Sequence, residues 1–253
     1  MDLERRDLIK NTLGVAGFSL AAASHLMAAP RPGIRAVLFD AFPIFDPRPV
    51  FALAKEAFPA EGDTLVDLWR TKQFEYTWLR TVAGRYRNFW DVTRDALRYS
   101  ARARKLDLSP ADEDRLMGAY LNLKPWPEVP AALHKLKDAG IRLAFLSNFT
   151  REMLQANIRN SGLEGLFNPI LSTDQAGAFK PEPHAYRLGL DAFGLPREEV
   201  LFAAFAAWDA AGAKSFGYPT FWVNRLNQPV EELGYAADAT GASLTDLLVY
   251  VKV

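Results

Sequence analysis

The chain has 253 residues, with 30 Lys+Arg against 30 Asp+Glu, so its formal net charge is zero. That neutrality, without any Lys/Arg block, excludes the electrostatic footprint of a nucleic-acid binder. The absence of cysteine excludes disulfides and a thiolate nucleophile, three histidines argue against a multi-histidine metal centre, and 49% hydrophobic residues exclude general disorder.

The first residues read as an address. Arg5 and Arg6, followed by Asp7, Leu8, Ile9 and Lys10, resemble a twin-arginine export signal. A weakly apolar run rich in Ala and Gly follows from Thr12 to Ala29, interrupted by His25. Ala28 and Ala29 before Pro30 offer a cleavage site. Residues 1–29 are therefore expected to be a signal peptide and the mature protein to be periplasmic, a compartment that suits a cysteine-free chain.

Ile34 to Phe39 is a short apolar, β-branched run that predicts a buried strand ending at Asp40. From Val50 to Tyr120 no second buried strand appears. Leu65, Leu68, Trp69, Lys72, Tyr76 and Leu79 recur at helical spacing, Phe89 to Ala103 continues in that style, and Pro110 opens another helix. After Lys124-Pro125-Trp126-Pro127, helix and strand alternate. Helices are expected at Val129–Ala139, Thr150–Asn160, Pro183–Phe193, Trp208–Phe216 and Ser243–Tyr250, and strands at Ile141–Leu146, Ile170–Leu171, Leu201–Ala203 and Thr220–Val223. This is the pattern of an α/β fold: a Rossmann-like parallel sheet core (30–48 and 122–253) with a helical cap (49–121) inserted after the first strand.

In such a sheet, residues just beyond the strands face one crevice. Asp40, Ser147, Asn148, Lys180 and Asp209 all fall there. A Lys180 beside Asp40 would favour its anion and keep it a nucleophile. Arg70 shares a helix face with Phe74 and Trp78, at spacings of four and eight. For Trp69, Phe74, Trp78 and Phe89 the competing reading is core packing, and it is preferred for Trp69.

Phe39-Asp40, Leu146-Ser147-Asn148, Lys180-Pro181-Glu182-Pro183 and Trp208-Asp209 resemble the four motifs of the haloacid dehalogenase superfamily. More narrowly, Leu68-Trp69-Arg70, Glu75 to Arg80, Lys180 with Tyr186, and Ala207 to Ala210 resemble the type II L-2-haloacid dehalogenases. The likeness runs from about Ile34 to Val251. It implies hydrolysis of (S)-2-haloacids to (R)-2-hydroxy acids through an ester on Asp40, with no cofactor or metal. Arg70 and Asn148 are then expected to cradle the halide, and Phe74, Phe89 and Trp208 to wall out water. Ser147 and the backbone at Ala41 and Phe42 would hold the substrate carboxylate. Lys180 would steady Asp40, Tyr186 would orient Lys180, and Asp209 would position the hydrolytic water. Members of this family often dimerise through the helical insertion.

Phe42 stands where superfamily phosphatases carry a second Asp to protonate an alkoxide. A halide leaves as a weak base and needs no acid, so Phe42 fits displacement at carbon. Three departures stand beside the likeness. The loop from Asp40 to Asp46 is one residue short and lacks a Gly-Thr pair, and Ala204 and Ala206 replace a Ser and an Asn expected to help hold Asp209 and the water. The third is the export address on a family expected in the cytoplasm. Two other readings stay open at this point: a related hydrolase of another small acid or phosphoryl compound, and a binder of small carboxylates with little or no turnover.

Overall fold

The computed structural model describes residues 33–253; the twin-arginine segment and its cleavage site lie outside them. The chain enters through β1 (Ala36–Phe39) and β2 (Phe45–Asp46), then runs through α1 (Arg48–Ala57), α2 (Gly62–Val82), α3 (Phe89–Ala103) and α4 (Pro110–Ala119). It returns at β3 (Lys124–Pro125) and alternates from there: α5 (Val129–Asp138), β4 (Arg142–Ser147), α6 (Arg151–Asn160), β5 (Ile170–Ser172), α7 (Pro183–Phe193), β6 (Val200–Ala204), α8 (Ala207–Phe216), β7 (Thr220–Val223), β8 (Ala239–Gly241) and α9 (Leu244–Val251).

Six strands form one sheet in the order β5-β4-β1-β6-β7-β8, with every neighbouring pair parallel. Their alternation explains the continuous apolar runs. Val37, Phe39, Leu143 and Phe145 pack into one core, while Ala36, Leu38, Ala144 and Leu146 pack into another. Successive side chains point to opposite faces, and both faces are covered, so neither parity can be polar. The chain builds outward from β1 on one side and then crosses to the other at β6. The carboxyl ends of β1, β4 and β6 therefore lie together at the point where strand order reverses.

Helix ends follow local chemistry. Thr150 accepts from the Met153 amide at the start of α6, and Glu182 caps α7 with Pro183 in its first turn. Gly194 ends α7 and Gly217 ends α8, each with positive φ. Ser243 and Asp246 form a reciprocal capping box on α9. Helices α1–α4 leave and re-enter the core through a two-stranded antiparallel stem, Phe45 opposite Pro125 and Asp46 opposite Lys124. Neither this stem nor β8 is signalled by the periodicity, because a two- or three-residue strand carries no period to read. Among the described residues, no helix is long and apolar enough to cross a membrane.

The buried face of α2 differs from the expected stripe. Leu65, Val66, Trp69, Gln73 and Thr77 are buried, whereas Leu79 is 63% exposed and Trp78 36%. The true stripe is partly polar, and its polar members bond inward. Trp69 Nε1 donates to the Thr93 carbonyl (2.8 Å) and Gln73 Nε2 donates to Thr93 Oγ1 (2.7 Å), tying α2 to α3. At the other end of α2, Gly62 lets the helix start against α1: a Cβ there would lie 2.5 Å from the Lys55 Cα, a backbone atom that cannot swing away. Gly62→Ala is expected to destabilise the fold by about 1–3 kcal/mol, read as a lower midpoint in urea unfolding.

Candidate active site

Asp40 follows β1, and its backbone amide donates to the Ala203 carbonyl of β6 (3.1 Å). The carboxylate thereby stands at the reversal point of the sheet. Its two oxygens are treated differently. Oδ1 accepts from Lys180 Nζ (2.9 Å) and from Ser147 Oγ (3.0 Å). Oδ2 has a long contact from the Phe42 amide (3.4 Å). One oxygen is thus held and the other is nearly free.

Lys180 is 1% exposed and bridges two carboxylates, because its Nζ also donates to Asp209 Oδ2 (2.6 Å). The segment carrying it is fixed from beneath: the Lys180 amide donates to Asn148 Oδ1 (3.1 Å). That bond assigns the Asn148 amide group, leaving its Nδ2 donors for the cavity. The preceding Phe179 amide donates to Thr81 Oγ1 of α2 (3.1 Å).

Asp209, in the first turn of α8, is buried, and Tyr186 donates to its Oδ1 (2.7 Å). Burial raises its pKa, the Lys180 ammonium opposes that, and Asp40 adds to it, so the carboxyl is pushed up to about 6. Burial pulls the Lys180 ammonium down, but the two carboxylates outweigh it and its pKa ends up raised. Burial and the neighbouring Asp209 hold the Tyr186 phenol well above its ordinary range.

The charged group opens into a cavity of about 550 Å³. Arg70 of α2 lines it, with its guanidinium carbon 5.0 Å from the Phe51 ring centroid. Among the described residues Arg70 makes no ion pair. Phe74, Phe89 and Trp208 also line the cavity, Phe74 packing edge-on against Trp208 at 5.3 Å. Phe89 stacks on Phe149 at 5.4 Å.

The structure brings Asp40, Arg70, Phe42, Phe74, Phe89, Ser147, Asn148, Trp208 and Asp209 onto one cavity, with Lys180 directly behind it. Some of the expected site residues make other contacts within the protein. Tyr186 bonds to Asp209, so it orients Lys180 only through that carboxylate. Ala41 is buried in the core, where its carbonyl accepts from the Ile44 and Phe45 amides, and it does not line the cavity. The Ser147 hydroxyl and the Phe42 amide, expected on the substrate carboxylate, are turned onto Asp40. A hydroxyl has one proton, so Ser147 cannot donate to both at once. The methyl group at Ala206 does not leave Asp209 loose, because Lys180 and Tyr186 take one oxygen each and the Asp209 amide donates to the Ala206 carbonyl (3.1 Å).

Sequence reasoning missed Gln73, Tyr120, Trp222 and the loop 224–231, all on the cavity wall. Gln73 carried a signal, a polar residue four after Trp69 on a buried helix face. Burial pushes the Tyr120 phenol up to about 12, opposed by hydrogen bonding with Gln73 and by the charge of Arg70.

Residues 32–217 match the profile of the haloacid dehalogenase-like hydrolases. The chain belongs to that family. Among curated relatives of this hydrolase, haloacetate dehalogenase H-2 of Moraxella sp. (strain B) is 42% identical over 86% of this chain and 97% of its own. The (S)-2-haloacid dehalogenase of Pseudomonas sp. (strain YL) is 42% identical over 83% and 91%. Among solved structures, the L-2-haloacid dehalogenase of Xanthobacter autotrophicus with chloropropionic acid covalently bound superposes with a TM-score of 0.79. It is 34% identical and covers 87% of this chain and 98% of its own.

The elevated Asp209 value has a measurable consequence. Between the ordinary 3.8 and about 6, the folded hydrolase holds a proton that the unfolded chain releases. This group's contribution to stability is full below 3.8 and is lost as pH rises through 6. Tyr186→Phe removes a donor that favours the anion, so the Asp209 titration is expected to move upward, observed by carboxyl ¹³C NMR. An unmoved titration would remove Tyr186 from that role.

Proposed function

We propose that the protein hydrolyses (S)-2-haloacids to (R)-2-hydroxy acids through an ester on Asp40. The observation that carries this reading is the asymmetry of that carboxylate: Oδ1 is held by Lys180 and Ser147 while Oδ2 is nearly unopposed. Oδ2 attacks the α-carbon opposite the halogen, the C–O bond forms as the carbon–halogen bond breaks, and the centre inverts. Arg70, without a carboxylate partner among the described residues, and the Asn148 Nδ2 donors receive the halide. In a cavity walled by Phe74, Phe89 and Trp208, a guanidinium stabilises a departing anion better than in water.

The ester then keeps Oδ1 as its carbonyl oxygen, still facing Lys180 and Ser147. Water adds to the Asp40 carboxyl carbon, and the negative charge gathers on Oδ1, where those two donors await it. Collapse breaks the bond between the Asp40 carboxyl carbon and Oδ2, the leaving alkoxide takes up the proton drawn from the water, and the 2-hydroxy acid departs as the Asp40 carboxylate is restored. Asp209 lines the same cavity and in its ionised form is the base for that water. The covalently bound chloropropionic acid of the Xanthobacter autotrophicus relative supports an intermediate of this kind.

The helical insertion acts in this reading as a cap that brings Arg70 over the sheet edge. Arg5 and Arg6 further support export to the periplasm; cell fractionation of the full chain against an Arg5→Lys, Arg6→Lys variant tests it, and equal distributions would refute it.

With (S)-2-chloropropanoate, catalytic chloride release is expected, and Asp40→Asn is expected to reduce it to the blank, since an amide is a far poorer nucleophile. Intact mass of the wild-type protein in mid-turnover should show the substrate's carboxyalkyl group added as an ester on Asp40, without its chlorine. Arg70→Lys should lower kcat/KM by about 10²-fold, because an ammonium cannot reproduce the planar fork. The rate should fall on the acid side of about pH 6 as Asp209 takes up its proton. Full activity in Asp40→Asn would end the proposal.

A further inference from the structure

We infer that this site selects 2-haloacids bearing an apolar, uncharged tail longer than a methyl group, and that the loop 224–231 reads that tail. The inference rests on the proposed attack by Asp40 and goes on to name the substrate class. The cavity, about 550 Å³, falls in the range of pockets that bury drug-sized ligands, far more than a three-carbon acid fills.

Its lining changes character from floor to mouth. The floor is charged and buried: Asp40 has a side chain 14% exposed, and Asn148 is 5% exposed. The mouth carries Leu226 and Val230, which line the same cavity yet are 40% and 54% exposed. Apolar side chains left partly in water at a pocket mouth gain when a ligand's hydrocarbon covers them.

Their exposure is held in place. Asn224 Nδ2 donates to the Gln228 carbonyl and the Gln228 amide donates back to Asn224 Oδ1, each at 2.8 Å. Arg225 Nη2 donates to the Pro43 carbonyl (2.8 Å) and to Glu128 (2.7 Å), which fastens the loop to the stretch just after Asp40. The loop is thus anchored at its base while Leu226 and Val230 remain uncovered.

Charge narrows the class further. Asp67 and Glu231 line the cavity and are exposed, and Arg70 is the one cation among its lining residues. The substrate's own carboxylate and the departing halide already call on Arg70. A second carboxylate on the tail would meet Asp67 and Glu231 with nothing to neutralise it, so 2-halodicarboxylic acids are disfavoured.

The test compares kcat/KM by chloride release for (S)-2-chloropropanoate, (S)-2-chlorohexanoate and (S)-2-chlorosuccinate. Each methylene taken fully out of water is worth about fourfold, so three at a half-open mouth give about tenfold in favour of the hexanoate. The succinate is expected at least about tenfold below the propanoate. Replacing both Leu226 and Val230 by Ser, at exposed positions, should bring the hexanoate-to-propanoate ratio close to one. Glu231→Gln should raise the succinate rate. Turnover of propanoate with no preference for hexanoate would overturn this inference and leave the proposed chemistry standing. No chloride from any of the three would overturn both.

Discussion

An ammonium ion sealed between two carboxylates is the constraint on which the rest of this structure turns. Lys180 bridges Asp40 after β1 and Asp209 at the start of α8, with 1% of its own surface in water. Taking three charged groups out of water is costly unless each is paired and hydrogen-bonded. The surroundings meet that condition with Ser147 on Asp40, Tyr186 on Asp209 and the Phe202 ring 4.9 Å from the ammonium. Removing any one charge would strand another in a dry interior, so the cluster pins three chain segments into one geometry.

That pinning is also what makes Asp40 chemically lopsided. A carboxylate with both oxygens equally held would be a poor nucleophile, and one with neither held would be poorly aimed. Here Lys180 and Ser147 fix one oxygen and leave the other to react. In the proposed mechanism the same two donors face the oxygen that takes up charge when the ester is hydrolysed. On that proposal, holding the nucleophile and stabilising the second transition state are one arrangement, and the bonds from Lys180 and Tyr186 to Asp209 keep the site's shape with Ala at 204 and 206.

The cavity above the cluster belongs to neither the sheet nor the helices alone. Asp40 after β1, Lys180 before α7 and Asp209 at the start of α8 supply the anions and the ammonium. Helix α2 supplies Arg70 and Phe74, α3 supplies Phe89, and α8 contributes Trp208. The α2–α3 turn reaches back to the sheet, where Tyr86 donates to Asp174 (2.6 Å) and packs on Phe179 at 4.7 Å, next to Lys180. The helical and sheet-side halves of the cavity are therefore mechanically joined beside Lys180.

Much of this was legible in the residues themselves wherever the signal is local. Apolar runs marked β1, β4, β6 and β7, Pro183 and Thr150 marked helix starts, and the residues just beyond the strands converge because a parallel sheet puts those ends on one side. Asp40, Ser147, Asn148, Lys180 and Asp209 came from that rule alone. The partnerships did not, because they join residues far apart in the chain: Asp40 to Lys180 spans 140 positions, and Tyr186 turned out to serve Asp209. The polar stripe on α2, the two-stranded stem and the loop 224–231 were equally invisible, since short strands have no period and a loop's facing depends on what it is fastened to. Order along the chain sets which side chains reach the crevice. Only packing in three dimensions sets which of their atoms are occupied and which remain free to react.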